Sequence, residues 1–131
     1  MKLFLVTAMM FCLFSNPILA KDVPDVSVTQ LSNLMQAKKV TVIDANGPET
    51  RKKYGVIPGA VMLSSYDDYN IAKELPKDKN AKLVFYCANT KCTAAPKAAQ
   101  KAIKAGYKNV AHLSVGIMGW NKAGKKNQKM N

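Results

Sequence analysis

The 131-residue chain has few of the residue types that build metal and cofactor sites: one histidine, one tryptophan, one arginine and three cysteines. A zinc site normally takes four histidine or cysteine ligands, so no metal site is predicted, and no cofactor motif is present. The length permits one domain and excludes an enzyme with separate cofactor and substrate domains. An apolar share of 48% with 21% charged residues is ordinary for a globular chain, which excludes wholesale disorder.

Acidic residues are also scarce, since 8 of them stand against 20 lysines and arginines, for a net charge of +12. Such an excess suggests nucleic acid or an anionic surface as a partner. The lysines, however, are spread over predicted helix faces and a C-terminal tail, with no interleaved aromatic residues on which bases would stack. Nucleic acid is therefore not a predicted partner. The charge fits solubility, attraction of small anions and loose contact with an anionic membrane face.

The longest apolar run lies within the first twenty residues, which read as a signal peptide. Lys2 precedes an apolar run over residues 3–14, Asn16-Pro17 breaks the helix, and Ala20 is the small residue required at the cleavage site. The run is shorter than the ~20 residues of a comfortable span, so a retained anchor is the less favoured alternative. Cleavage would remove Lys2 and Cys12, leaving 111 residues with a net charge of +11 and two cysteines. We expect a periplasmic or secreted monomer without stable membrane insertion, in a compartment where disulfides persist.

The rest of the sequence alternates strand and helix patterns. A leader (21–26) precedes the domain (27–124), and a basic tail (125–131) follows; from residue 122 onward we expect the chain to fray. Strands are predicted at 40–44, 61–63, 82–86 and 109–113, and helices at 28–37, 49–54, 94–105 and 116–123, with 66–74 partly helical. Ser27 and Gln30 fit a capping box at the first helix. This alternation predicts an α/β domain around a parallel sheet.

The most informative segment is the turn between the strand at 82–86 and the helix at 94–105. The strand delivers Cys87 to its carboxyl end, the edge at which open α/β sheets bind ligands. Backbone N–H groups of the turn and of the following helix favour negative charge there, which would lower the pKa of the Cys87 thiol below its usual ~8.5 and would stabilise a persulfide. A buried, inert cysteine is the alternative. The predicted anion-binding loop comprises Ala88, Asn89, Thr90, Lys91, Cys92 and Thr93.

Five segments, in their order and spacing, resemble the rhodanese (sulfurtransferase) family. They are Val42-Ile43-Asp44, Gly55-Val56-Ile57-Pro58-Gly59-Ala60, the stretch from Leu83 to Cys87 with its loop, Ala105-Gly106-Tyr107, and Gly116-Ile117-Met118-Gly119-Trp120. The resemblance implies a three-layer α/β/α domain with a small, mainly parallel central sheet and a nucleophile at Cys87. Members of the family move a sulfane sulfur through a cysteine persulfide. We therefore predict a periplasmic sulfurtransferase that passes sulfur from thiosulfate or polysulfide to a thiol or cyanide.

The loop departs from the pattern of that family. Members usually carry Cys-Arg-x-Gly-x-Arg, whereas this chain has neither arginine and places Cys92 where the second one stands. The bidentate guanidinium fork that would grip thiosulfate is therefore missing. Phosphatases and arsenate reductases of the same fold use a Cys-x5-Arg loop, which is also absent, so phosphoryl transfer is not predicted.

Two roles remain open for Cys92. It can resolve a Cys87 persulfide or sulfenate and leave a Cys87–Cys92 disulfide, in which case a thiol-redox protein is a further partner. Alternatively, the disulfide only rigidifies the loop, and the domain is a non-catalytic binding module. Elsewhere, Asp44 is expected to support the site by accepting hydrogen bonds, with direct catalysis less favoured. Thr93 is the expected N-cap, and His112 is expected to be structural.

Overall fold

A computed structural model describes residues 23–131, so the predicted signal segment and the first two leader residues lie outside the described residues. The elements follow in the order α1 (Val28–Gln36), β1 (Thr41–Asp44), α2 (Pro48–Tyr54), β2 (Val61–Met62), α3 (Ile71–Glu74), β3 (Leu83–Tyr86), α4 (Ala94–Lys104), β4 (Val110–Leu113) and α5 (Gly116–Lys122). Among the described residues, no helix combines the length and the apolar character needed to cross a membrane.

The four strands form one parallel sheet in the order β2-β1-β3-β4. Asp44 is in register with Met62 of β2 on one side and with Tyr86 of β3 on the other. The predicted α/β class with a parallel central sheet is thus confirmed. Because every strand runs the same way, all four carboxyl ends meet at one edge, and β3 delivers Cys87 there from a position next to the sheet centre.

Helices cover both faces of the sheet, which makes the three layers that were predicted. On one face, α4 presents its small side chains to the sheet: Ala95, Ala98, Ala99 and Ala102 are all buried. On the other face, Leu31 of α1 packs with Ile117 and Trp120 of α5. α4 carries a row of alanines, so its backbone can lie close to the sheet without leaving cavities.

The helix starts and strand positions follow local sequence signals. Ser27 accepts a hydrogen bond from the backbone N–H of Gln30 at 3.1 Å, and the Gln30 side chain accepts one from the Ser27 N–H at 2.8 Å. This is the predicted capping box, and α1 begins directly after it. The other predicted elements lie within one or two residues of the observed ones, except in the 66–74 segment, where only Ile71–Glu74 is helical.

The basic tail is docked, so the expectation that it frays is wrong. Val56 and Gln128 form an antiparallel bridge, with N–H···O distances of 2.9 Å in both directions. The Asn127 amide donates to the Tyr54 carbonyl at 2.7 Å, and the Trp120 indole donates to the carbonyl of residue 126 at 2.7 Å. The C-terminal end of α2 and the following loop offer unpaired backbone groups, and the tail satisfies them.

The leader residues cover the outer edge of β4. The Val26 N–H donates to the His112 carbonyl, and the His112 N–H donates to the Pro24 carbonyl, both at 2.9 Å. The Asp25 carboxylate also accepts a hydrogen bond from the Ser114 N–H at 2.9 Å. His112 therefore contributes its backbone to the edge of the sheet.

Candidate active site at the carboxyl edge of the sheet

Cys87 and Cys92 are joined by a disulfide, with their Cα atoms 6.3 Å apart. That separation lies within the range of about 4.4–6.8 Å that a disulfide normally spans. Cys87 follows β3 and is only 3% exposed, and it belongs to the apolar cluster that also contains Phe85 and Ala95. Cys92 is partly exposed and packs against the edge of the same cluster. The structure thus brings together the two cysteines that the sequence placed in one loop.

Asn89 organises the tight turn between the two cysteines. Its side-chain oxygen accepts a hydrogen bond from the Lys91 N–H at 3.0 Å, as in an Asx turn. Its backbone carbonyl accepts one from the Cys92 N–H at 3.1 Å. Thr90 and Lys91, between them, are exposed to solvent. Within the predicted anion-binding loop, Asn89 therefore shapes the backbone, while Lys91 places the only cationic side chain of the loop at its surface.

Thr93 occupies the N-cap position of α4, as predicted, but its side chain makes no capping hydrogen bond. Pro96, three residues after Thr93 in the first turn of α4, also lacks a donor, since proline has no N–H. The start of α4 therefore keeps N–H groups that the threonine hydroxyl would otherwise have satisfied.

The backbone N–H groups of the loop are largely unpaired. Those of residues 87–90 and 93–95 find no hydrogen-bond acceptor among residues 23–131. Only the N–H groups of Lys91 and Cys92 are used inside the loop, and both are bonded to Asn89. Unpaired N–H groups on a curved loop and at a helix start are the usual donors for an anion in a backbone concavity.

The first turn of α5 fixes the loop from the opposite side. The Ile117 N–H donates to the Cys87 carbonyl at 2.9 Å, and the Met118 N–H donates to the Ala88 carbonyl at 3.0 Å. Gly116, which precedes them, has a φ of +63°, and a Cβ there would lie 2.5 Å from the Ala88 carbonyl oxygen. Sequence reasoning placed Gly116 at the start of a helix and in one of the five family-like segments, but assigned it no contact with the cysteine loop. The available signal was a glycine opening a helix at N1, although no capping side chain precedes it.

Asp44, predicted to support the site, is fully buried at the end of β1. One carboxylate oxygen accepts hydrogen bonds from the Asn46 N–H at 2.7 Å and from Arg51 Nε at 3.2 Å, and the other accepts one from the Tyr86 hydroxyl. That hydroxyl in turn accepts a hydrogen bond from the Ile57 N–H at 3.0 Å. The prediction that Asp44 accepts backbone or loop hydrogen bonds is confirmed by the bond from the Asn46 N–H. Among residues 23–131, none of its hydrogen bonds goes to the loop at 87–93.

Arg51 is the partner of Asp44 that sequence reasoning missed. Besides its ion pair with the carboxylate, its guanidinium donates to the carbonyls of Asp44 at 3.1 Å and Leu63 at 2.9 Å, which ties together the ends of β1 and β2. Its being the only arginine in a lysine-rich chain was the one available signal, because a planar fork with five donors suits such a site better than an ammonium does.

Burial has the largest effect on the pKa values of Asp44 and Tyr86, which form a cluster with Arg51. It raises the pKa of Asp44 above its ordinary value, and the Tyr86 hydroxyl, the Asn46 N–H and Arg51 only partly offset that effect. Burial also raises the pKa of Tyr86, and the neighbouring Asp44 carboxylate adds to the shift. The hydrogen bonds of Asp44, Arg51 and Tyr86 join the ends of β1, β2 and β3, and Tyr86 directly precedes Cys87 in the chain.

No group of three or more histidine, cysteine or acidic side chains lies close enough to hold a metal ion in the described part of the chain. His112 is on β4, within the sheet.

Residues 27–123 match the family model described as Rhodanese-like domain. No curated protein matches the sequence. Among solved structures, the BH2092 protein of Bacillus halodurans superimposes with a TM-score of 0.70 at 24% identity, covering 81% of this chain and 77% of that one. The rhodanese-like domain of Anabaena Alr3790 gives 0.66 at 20% identity, covering 82% and 80%.

The human single-domain sulfurtransferase TSTD1 superimposes with a TM-score of 0.61 at 23% identity, covering 76% of this chain and 96% of that one. At this level of identity the structural likeness speaks to the fold. The family model spans nearly all of the described residues. The chain belongs to the rhodanese-like domain family.

Proposed function

We propose that the protein is a sulfurtransferase that carries a sulfane sulfur as a persulfide on Cys87. The observation that carries the proposal is the loop after β3, which begins with Cys87 and whose backbone N–H groups at residues 87–90 and 93–95 find no acceptor among residues 23–131. Both the thiolate and the persulfide are anions, and such donors stabilise them. Membership of the rhodanese-like family and the likeness to a human single-domain sulfurtransferase support the same chemistry.

The cycle starts from the reduced protein. The Cys87 thiolate attacks the outer sulfur of thiosulfate; the S–S bond of thiosulfate breaks, and sulfite leaves with the electron pair. A thiolate acceptor then attacks the outer sulfur of the Cys87 persulfide, takes that sulfur, and regenerates the Cys87 thiolate. Without the two arginines usual in the family, the loop N–H groups and Lys91 supply the positive potential. A polysulfide donor follows the same steps, with a shorter polysulfide as the leaving group.

Cys92 acts as the resolving residue in this proposal. Its thiol attacks the inner sulfur of the Cys87 persulfide, hydrosulfide leaves, and the Cys87–Cys92 disulfide forms. The Cα separation of 6.3 Å and the disulfide itself support this step. The cleaved signal predicted from the sequence would place the protein in the periplasm, where the disulfide would persist until a thiol-redox partner reduced it.

The test uses the reduced protein, its Cys87→Ser variant and its Cys92→Ser variant, each given thiosulfate and then a thiol acceptor. We expect the wild type to turn over and Cys87→Ser to be inactive. In Cys92→Ser, intact mass spectrometry should show a persulfide, a gain of about 32 Da, that persists until an acceptor is added. Full activity of Cys87→Ser would overturn the assignment. N-terminal sequencing of the secreted protein checks the predicted cleavage after Ala20.

The absence of the two arginines favours a second candidate, a binding module in which the disulfide is only structural. A closed loop this short contributes about 2 kcal/mol by restricting the unfolded chain. On this reading, reduction lowers stability by that amount, and neither the reduced wild type nor the Cys92→Ser variant gains sulfur from thiosulfate. The mass measurement therefore separates the two candidates directly.

A further inference from the structure

The two sulfur-bearing residues of the disulfide differ in their access to solvent. Cys87 is 3% exposed, and its carbonyl accepts a hydrogen bond from the Ile117 N–H at the start of α5. Cys92 is partly exposed, and its neighbours Lys91 and Thr93 are both exposed. A reagent arriving from solvent therefore meets Cys92 before Cys87.

The unequal exposure of Cys87 and Cys92 determines which sulfur is attacked in thiol–disulfide exchange. A thiolate must approach the attacked sulfur, and the electron pair of the broken bond goes to the other sulfur. If the attacked sulfur is that of Cys92, the leaving group is the Cys87 thiolate. That anion then lies in the loop whose N–H groups, at residues 87–90 and 93–95, find no acceptor among residues 23–131. Attack at Cys87 would instead leave the negative charge on Cys92, the more exposed of the two cysteines.

The charges around the loop favour the same direction. The stretch from residue 87 to residue 95 contains no acidic residue, and Lys91 stands directly before Cys92. An incoming thiolate is an anion, so the exposed lysine next to Cys92 in the sequence raises the local concentration of the thiolate.

We propose that the disulfide is reduced by attack at one particular sulfur: an external dithiol attacks Cys92, and Cys87 leaves as the thiolate. In the first step, one thiolate of the dithiol forms a bond to the Cys92 sulfur as the Cys87–Cys92 bond breaks. In the second step, the other thiolate of the reductant attacks its own partner sulfur, and the Cys92 thiolate leaves and takes a proton from water. The dithiol is oxidised by two electrons, and the disulfide is reduced by two.

The consequence for regulation rests on the proposed function. While the bond is closed, the sulfur that would carry the persulfide is masked and buried, so the oxidised protein takes no sulfur from thiosulfate. Opening the bond also frees residues 88–92 from the short ring that the disulfide closes. The protein would then transfer sulfur only after a dithiol reductant had acted on Cys92.

Peptide mapping tests the direction of opening. The oxidised protein is mixed briefly with reduced glutathione, a monothiol that stops at the first step, and is quenched in acidic guanidinium containing N-ethylmaleimide. Trypsin cuts after Lys82, Lys91 and Lys97, so Cys87 and Cys92 fall on separate peptides, 83–91 and 92–97. We expect glutathione on peptide 92–97 and maleimide on 83–91, in roughly tenfold excess over the reverse pattern, because access selects the attacked sulfur.

The matched control is the same protein unfolded in guanidinium before glutathione is added. Both sulfurs are then accessible, so glutathione should divide between the two peptides. Predominant glutathione on peptide 83–91 of the folded protein, or an even division there, would overturn the proposal. The map does not depend on turnover: a protein without sulfurtransferase activity that still shows glutathione on 92–97 would refute the proposed function and leave the direction of opening standing.

Discussion

Replacing Gly116 by alanine tests whether the start of α5 holds the cysteine loop in place. Gly116 has a φ of +63°, and an added Cβ would lie 2.5 Å from the Ala88 carbonyl oxygen and 2.6 Å from the Cys87 carbonyl oxygen. Gly124, at the other end of α5, has a similar φ of +72° but nothing within 4 Å of an added Cβ. Gly124→Ala is therefore a matched control that keeps the backbone cost and lacks the clash.

The expected magnitudes follow from those two contributions. A left-handed conformation costs a non-glycine residue about 1–2 kcal/mol, and both variants bear this cost. The clash adds about 1–3 kcal/mol in Gly116→Ala only, because the atoms it meets are backbone atoms that cannot rotate away as a side chain would. We therefore expect a loss of about 2–5 kcal/mol for Gly116→Ala and about 1–2 kcal/mol for Gly124→Ala.

Urea unfolding of the two oxidised variants and the wild type measures the free energies of unfolding, provided that the slopes agree. Hydrogen exchange supplies a local readout, since relief of the clash must lengthen the hydrogen bond from the Ile117 N–H to the Cys87 carbonyl. Protection of the Ile117 amide should fall in Gly116→Ala and stay unchanged in Gly124→Ala. Equal losses of stability with equal protection of Ile117 would refute the claim that this contact positions the loop.

Three further predictions concern hydrogen bonds outside the loop. Arg51→Met leaves the buried Asp44 carboxylate without its cation, so chemical unfolding should show a loss of about 3–5 kcal/mol at neutral pH. The loss should be smaller in acid, because the raised pKa of Asp44 lets the carboxyl become neutral there. A loss that does not depend on pH would contradict this prediction. Tyr86→Phe removes the donor to Asp44 and the acceptor of the Ile57 N–H, so thermal unfolding should show a loss of about 2–4 kcal/mol, and a loss below about 1 kcal/mol would argue against both bonds. Glu74 has a lowered pKa, because two backbone N–H groups and a hydroxyl outweigh the opposing effect of burial. Its contribution to stability is present above the unfolded pKa and is lost as the pH falls through the lowered folded pKa. Glu74→Gln should therefore cost up to about 1 kcal/mol at neutral pH and progressively less in acid, and a cost that does not change with pH would count against it.

The cysteine pair was predictable because its geometry is local. Cys87 follows a strand of four apolar residues, and Cys92 lies five residues further on, before a helix with an alanine face. Periodicity alone assigns those elements, and a connection this short leaves the second cysteine within reach of the first. That they do form a disulfide was left open, since sequence spacing does not say how the turn folds. The hydrogen bonds that Asn89 accepts from the Lys91 and Cys92 N–H groups decide how the turn folds.

The docked tail was not predictable from composition. Lysine, asparagine and glutamine near a chain end are typical of a solvated, frayed segment. The tail is ordered because the loop after α2 presents a free backbone edge at Val56 and the end of α2 presents the Tyr54 carbonyl. Those partners lie about seventy residues away in sequence, where no local pattern reports on them.

The sequence by itself determined the order of the elements, the parallel α/β class and the place of Cys87 at the end of a central strand, because each depends on patterns within a few residues. Only the tertiary structure decided what holds that strand end: the Asp44–Arg51–Tyr86 cluster, the contact of Gly116 with the loop, and the unequal exposure of Cys87 and Cys92. Each of these features depends on segments that are far apart in the sequence. The burial and the hydrogen bonds between those segments exist only once the chain has folded.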